Sequence, residues 1–137
     1  VKDSLRAGLT HTLTYLVPES KTVPFLFPEA PAFASMPKVL ATGFMVGLFE
    51  WACIELVAPH LEDDEGTLGI HVDFSHTAAT PPGLTVTINT LCTKVNGRKL
   101  EFEISGHDGV DEIGRGLHRR AIVRFSQFQE RILGKRP

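Results

Sequence analysis

The run Thr42-Gly-Phe-Met-Val-Gly-Leu-Phe-Glu-Trp-Ala-Cys-Ile-Glu-Leu-Val-Ala-Pro59 decides how the rest of the chain is read. Between Phe44 and Ala58 it is apolar on nearly every side of a helical wheel, and a helix of that kind belongs inside something. At about 15 residues it falls short of the roughly 20 that a bilayer span needs. Thr42 is read as the N-cap, its hydroxyl accepting a helix-start N–H. Pro59 marks the stop, because it cannot continue the hydrogen-bond ladder. One residue is out of place: Glu50. A carboxylate in such a helix sits at a cleft or in a pair, since bare burial costs several kcal/mol.

Composition sets the frame for this helix. A length of 137 residues fits a single domain, 1–137, with a sizeable core. Hydrophobic content of 42% and charged content of 22% are those of an ordinary soluble globular protein. A net charge of −2 points away from a nucleic-acid binder. Cys53 and Cys92 lack metal-ligand spacing and read as reduced thiols of a cytoplasmic protein. The start at Val1 carries no signal-peptide pattern, which disfavours export.

On either side of the helix the pattern changes to period 2. Leu9, His11, Leu13, Tyr15 and Val17 alternate with threonines, a strand with one wet face. From Thr22 to Met36, Pro24, Pro28 and Pro31 interrupt Val23, Phe25, Leu26, Phe27 and Phe33. That segment is either a lid over a pocket or a core-packing connector. Beyond the acidic turn at residues 62–66, four strands are expected as a meander. Ile70, Val72, Phe74 and His76 share one face of the first of these. In the next, Val86 and Ile88 alternate with threonines until the phase slips, which predicts a bulge near Thr90. Asn96-Gly97 predicts a two-residue hairpin turn. Leu100, Phe102 and Ile104 face the core, with Glu101 and Glu103 outward. The last long strand, about Asp111 to Phe125, is expected to bury Leu117, Ala121, Val123 and Phe125, and a short amphipathic helix follows. One apolar helix with a run of antiparallel strands is an α+β architecture, the sheet curled round the helix.

His76 points with the apolar face of its strand, toward the helix that carries Glu50. Taken alone, such a histidine is more often structural. Together, a carboxylate and an imidazole in apolar settings are the usual parts of a general-base site. Thr42 adds a hydroxyl where free helix-start N–H groups can hold an oxyanion, beside its reading as a plain cap. No phosphate loop, His-Glu-x-x-His or Gly-x-Ser-x-Gly pattern occurs, and no metal site is expected. Gly43 and Gly47 read as close-approach positions in the helix. His11, His60, His71, His107 and His118 read as surface residues. Arg115, Arg119, Arg120 and Arg124 form either a solvated face or a pocket rim that contacts phosphate or acyl groups.

Three motifs carry a resemblance to a known family: Thr42 to Cys53, His76-Thr-Ala-Ala-Thr-Pro-Pro-Gly-Leu-Thr-Val-Thr87, and Gly106-His-Asp-Gly-Val-Asp-Glu-Ile-Gly114. Over about residues 21–123 the chain resembles the fluoroacetyl-CoA thioesterases of the hot-dog fold, in which a curled antiparallel sheet of about five strands wraps one long helix. The resemblance implies that Thr42, Glu50 and His76 fall on catalytic positions, with Gly69 and Arg120 lining the acyl pocket and Phe33 and Met36 in an apolar lid. Met36 stands where the family's pattern carries an aromatic ring, a flexible thioether in place of a rigid wall. The implied activity is hydrolysis of a short acyl-CoA at the interface of a homodimer, with CoA part of the substrate and no cofactor. Glu50 acts as nucleophile or assists a water in that scheme. Hydrolysis of another small acyl-CoA, or a non-catalytic acyl-CoA binding module, are the alternatives.

Overall fold

The computed structural model describes residues 1–137. Its long helix, α2 (Thr42–Val57), follows a four-residue helix, α1 (Pro31–Ala34). Ala41, not Thr42, is the N-cap of α2. Thr42 occupies the first helical position, because its hydroxyl bonds His76 instead of a helix-start N–H. After Val57 the chain tightens into a 3₁₀ turn, Ala58–His60, with Pro59 in its first turn where a missing N–H matters least. Counting that turn, Thr42–His60 is long and apolar enough to cross a membrane by length and hydropathy alone, longer than the sequence reading allowed. Here one side of it is packed inside the protein. Met45, Leu48, Phe49, Ala52, Cys53, Leu56 and Val57 are buried against the sheet. On the opposite side Trp51 and Ile54 are 43% and 44% exposed.

The sheet has five antiparallel strands: β1 (Thr10–Leu16), β2 (Glu65–His76), β3 (Thr85–Asn96), β4 (Lys99–His107) and β5 (Glu112–Arg124). Their order is β1-β3-β4-β5-β2. Only β3, β4 and β5 form a meander, contrary to the expected four-strand run; β2 pairs with β5 and leaves its other edge open. The β3–β4 turn uses Gly97 and Arg98, one residue later than expected, with Asn96 paired to Lys99. Gly97 takes φ +61°, so the glycine alone supplies the positive φ of the turn.

Two strands depart from the phase that simple alternation predicts. In β3 the bulge lies between Cys92 and Lys94, not near Thr90. Thr90 stays on the core face with Val86, Ile88 and Cys92, and its hydroxyl lies 3.4 Å from the Cys53 sulfur. A bonded threonine is tolerated where alternation calls for an apolar residue. In β5 the expected inner face is the outer one. His118, Arg120 and Ile122 are buried, while Leu117, Ala121 and Val123 are only half-buried and Phe125 begins α3 (Phe125–Leu133). Hydrophobicity misleads here because the inward polar groups satisfy one another.

A further irregularity sits in β2, whose register shifts between Gly69 and His71. Ile70 is the extra residue and is 50% exposed. Before the bulge Glu65, Thr67 and Gly69 face inward; after it Val72, Phe74 and His76 lie opposite the inward positions His118, Gly116 and Gly114. Phe74 closes on fully buried Phe49, with ring centroids 4.9 Å apart at 77°. Phe49→Ala is therefore expected to destabilise the fold by about 3–5 kcal/mol in urea unfolding, and a loss below about 1 kcal/mol would show that this contact does not organise the core.

Candidate active site

Two polar clusters stand on the β2 flank of α2. In the first, Thr42 Oγ1 lies 2.8 Å from His76 Nδ1, joining the start of α2 to the end of β2. His76 Nε2 is buried and has no hydrogen-bond partner. Burial lowers the imidazole below its ordinary value of 6.5, with the Ala78 backbone acting the other way. Desolvation disfavours the cation, so His76 is a neutral base at neutral pH. Whether Nδ1 accepts from the threonine hydroxyl or donates to it depends on the tautomer.

The second cluster surrounds Glu50. Arg120 donates from Nη1 to Glu50 Oε1 at 3.0 Å, from Nε to Thr67 Oγ1 at 2.8 Å and from Nη2 to the Thr67 carbonyl at 2.8 Å. The guanidinium is almost fully buried, whereas Glu50 keeps about a third of its side chain exposed. His118 is fully buried behind them, not on the surface as its sequence context suggested. It had a detectable signal: in a strand, residue 118 must share the face of Arg120. Gly69 is explained by contact, since a Cβ there would lie 2.6 Å from Glu50 Oε1. Every one of these contacts to the carboxylate falls on Oε1.

One chain does not bring Thr42, Glu50 and His76 together. Thr42 and Glu50 are eight residues apart on α2, about 12 Å along its axis at 1.5 Å per residue. The segment from Lys21 to Ala41 folds back on itself, closed at its base by Val23 N–H to the Val39 carbonyl and Ala41 N–H to the Lys21 carbonyl. Leu26 reaches Gly43, where an added Cβ would meet it at 3.3 Å. That places the flap over the start of α2 and favours the lid reading over a core connector. Phe33 stacks on Phe27 with centroids 5.7 Å apart, while Met36 is 49% exposed. Gly47 has open space around it and approaches nothing in its own chain. It borders an apolar cavity of about 220 Å³ with Tyr15, Phe44, Leu48 and Trp51, and none of the trio lines that cavity. No three His, Cys, Asp or Glu side chains converge as metal ligands.

Comparison with known proteins gives this geometry a family. The model of the fluoroacetyl-CoA-specific thioesterases matches residues 17–126. This chain belongs to that family. The thioesterase is 51% identical over 137 residues to the fluoroacetyl-CoA thioesterase of Streptantibioticus cattleyicolor, covering 100% of this chain and 99% of the relative. A solved fluoroacetyl-CoA thioesterase superposes with a TM-score of 0.96 at 51% identity, covering 98% of this chain and 100% of the other. A hot-dog-like protein from Thermanaerovibrio acidaminovorans shares the fold alone, with a TM-score of 0.80 at 17% identity over 96% and 93% of the two chains. The chain is thus a hot-dog acyl-CoA thioesterase, a thioester hydrolase.

A measurable consequence concerns His76. In an NMR titration its imidazole is expected to take up its proton below pH 6.5, the ordinary histidine value, so that it is neutral through the neutral range. A midpoint above 6.5 would mean that a nearby carboxylate outweighs burial.

Proposed function

We propose that this thioesterase hydrolyses short acyl-CoAs, fluoroacetyl-CoA among them, at a composite site completed by a second copy of the chain. The observation that carries the reading is the division of the polar groups into a Thr42–His76 pair and a Glu50–Arg120 pair on one helix flank. A two-fold axis beside α2 sets the start of one helix against the middle of its partner. Thr42 and His76 of one protomer then meet Glu50 of the other. The open edge of β2 and the uncovered side of α2 support a homodimer. Two buried free thiols, Cys53 and Cys92, suit a reducing, cytoplasmic setting.

In this reading the thioester carbonyl lies at the start of α2. The first N–H groups of a helix have no intrahelical partner and carry partial positive charge, which holds a developing oxyanion. The Thr42 hydroxyl bonds either the carbonyl or His76. His76 takes a proton from water through Nε2, the atom without a partner. Glu50, held through Oε1, presents Oε2 to the acyl carbon or to the attacking water. Gly69 and Arg120 wall the acyl pocket, and the flap with Phe33 and Met36 covers it. CoA leaves as thiol, and neither a cofactor nor a metal is called on.

His76→Ala and Glu50→Gln are each expected to lower kcat about 10²-fold or more while the protein stays folded. Mixing the two inactive variants under subunit exchange tests the composite site. Random pairing makes half of the dimers mixed, each with one intact site, so about a quarter of wild-type activity should return. A site contained within one chain returns none, and a strict monomer in light scattering would also remove this reading.

Substrate range follows from Met36. Its three rotatable bonds make a softer wall than an aromatic ring, and apolar packing discriminates by only about 1–3 kcal/mol per methylene-sized difference. Variants of a relative about 50% identical to this chain have been solved with fluoroacetate and with acetyl-CoA. This enzyme is expected to turn over several short acyl-CoAs, with a modest preference for fluoroacetyl-CoA that rises in Met36→Phe. Measuring kcat/KM for fluoroacetyl- and acetyl-CoA in both proteins decides it. A many-thousand-fold preference that Met36→Phe leaves unchanged would place selectivity elsewhere.

A further inference from the structure

His118 is fully buried and its ring nitrogens are assigned by their neighbours. Nδ1 lies 2.7 Å from the His71 carbonyl oxygen, which only accepts, so Nδ1 carries the proton. Nε2 lies 3.1 Å from Arg120 Nη1, which only donates, so Nε2 offers its lone pair. Nη1 is the same nitrogen that donates to Glu50 Oε1. Its two N–H groups are therefore divided, one to an imidazole and one to a carboxylate. Glu50 Oε1 is 4.0 Å from His118 Nε2, close enough to be drawn in if that nitrogen carried a proton.

We propose that His118 is a positioning residue for thioester hydrolysis: by occupying one N–H of Arg120 Nη1, it confines Glu50 to a single bond through Oε1 and leaves Oε2 free to react. Without the acceptor at Nε2, the guanidinium has a second buried N–H to satisfy, and the carboxylate is the one strong acceptor beside it. The two N–H bonds of Nη1 diverge, so to satisfy the freed one the guanidinium turns and meets the carboxylate with parallel N–H groups of two nitrogens, a pairing that takes up both oxygens. The groups facing His118 are Arg120 on its own strand, Glu50 from α2, His71 from β2, and the rings of Phe74 and Phe102. Burial first, and the Arg120 charge with it, holds the imidazole below its ordinary range, in keeping with a neutral ring.

This inference rests on the reading of Glu50 as the reacting carboxylate, and the experiment separates the two. A glutamine places an amide oxygen near the position of Nε2 and keeps an acceptor for Arg120; an asparagine reaches only the position of Nδ1 and keeps the bond to His71. His118→Gln is expected to retain kcat within about threefold, and His118→Asn to lose about tenfold or more in kcat with KM within about threefold, as misplacement of a catalytic group predicts. Equal kcat in the two variants overturns the proposal. Glu50→Gln is measured alongside them. If it remains active, the reading of Glu50 fails and takes this one with it; if it is inactive and the His118 variants are alike, only the role of His118 fails. Nitrogen NMR of the wild-type imidazole decides the matter should a variant not fold: a neutral Nδ1–H tautomer at neutral pH is expected, and an Nε2–H tautomer or an imidazolium overturns the proposal.

Discussion

The structure depends on a guanidinium held inside a sheet. Arg120 is nearly fully buried, and a charge in that position persists only with a partner and with its donors satisfied. Thr67 supplies a hydroxyl and a carbonyl, His118 a lone pair and Glu50 the countercharge. Each requirement reaches back into the local fold. Thr67 faces inward because it precedes the bulge at Ile70, and the same bulge returns Val72, Phe74 and His76 to the inner face after it. Gly69 has no side chain because Glu50 occupies the space one would need. Glu50 in turn sits on the flank of α2 that passes this end of β2.

The same pairing explains why a helix this apolar carries a carboxylate at position 50. Glu50 lies at the edge of the buried stripe, part exposed, where one oxygen is bound and the other is open. At the N-terminal end of α2, Thr42 and His76 form a second hydrogen-bonded unit with an imidazole nitrogen left unpartnered. In the proposed reading each unit is half of a hydrolytic apparatus, and a helix and a sheet hold both in place. A helix apolar all round but covered on one side is what a chain requires if a second copy is to lie against it.

Much of this was legible in the residues. The apolar run at 42–59, the alternation in β1 and β4, and the inward phase of Phe74 and His76 were readable because burial imposes periods of 3.6 and 2 on sequence. Glu50 stood out as a charge in the middle of ten apolar residues. The motifs around Thr42, Glu50 and His76 carried the family, and the chain does belong to it.

What the sequence by itself determined is therefore the single central helix, the strands that follow it and the residue types at the site. Only the tertiary structure decided where those residues point. The phase of β5 was unreadable because alternation assumes that apolar residues face in, and here His118 and Arg120 do so because Glu50, Thr67 and the His71 carbonyl meet them there. The bulge at Ile70 leaves no periodic trace, yet it puts Gly69 beside Glu50. Thr42 looked like a helix cap until the fold brought His76 within 2.8 Å of its hydroxyl. Local patterns record which groups avoid water; the partners that let polar groups do the same come from distant parts of the chain, and only folding brings them together.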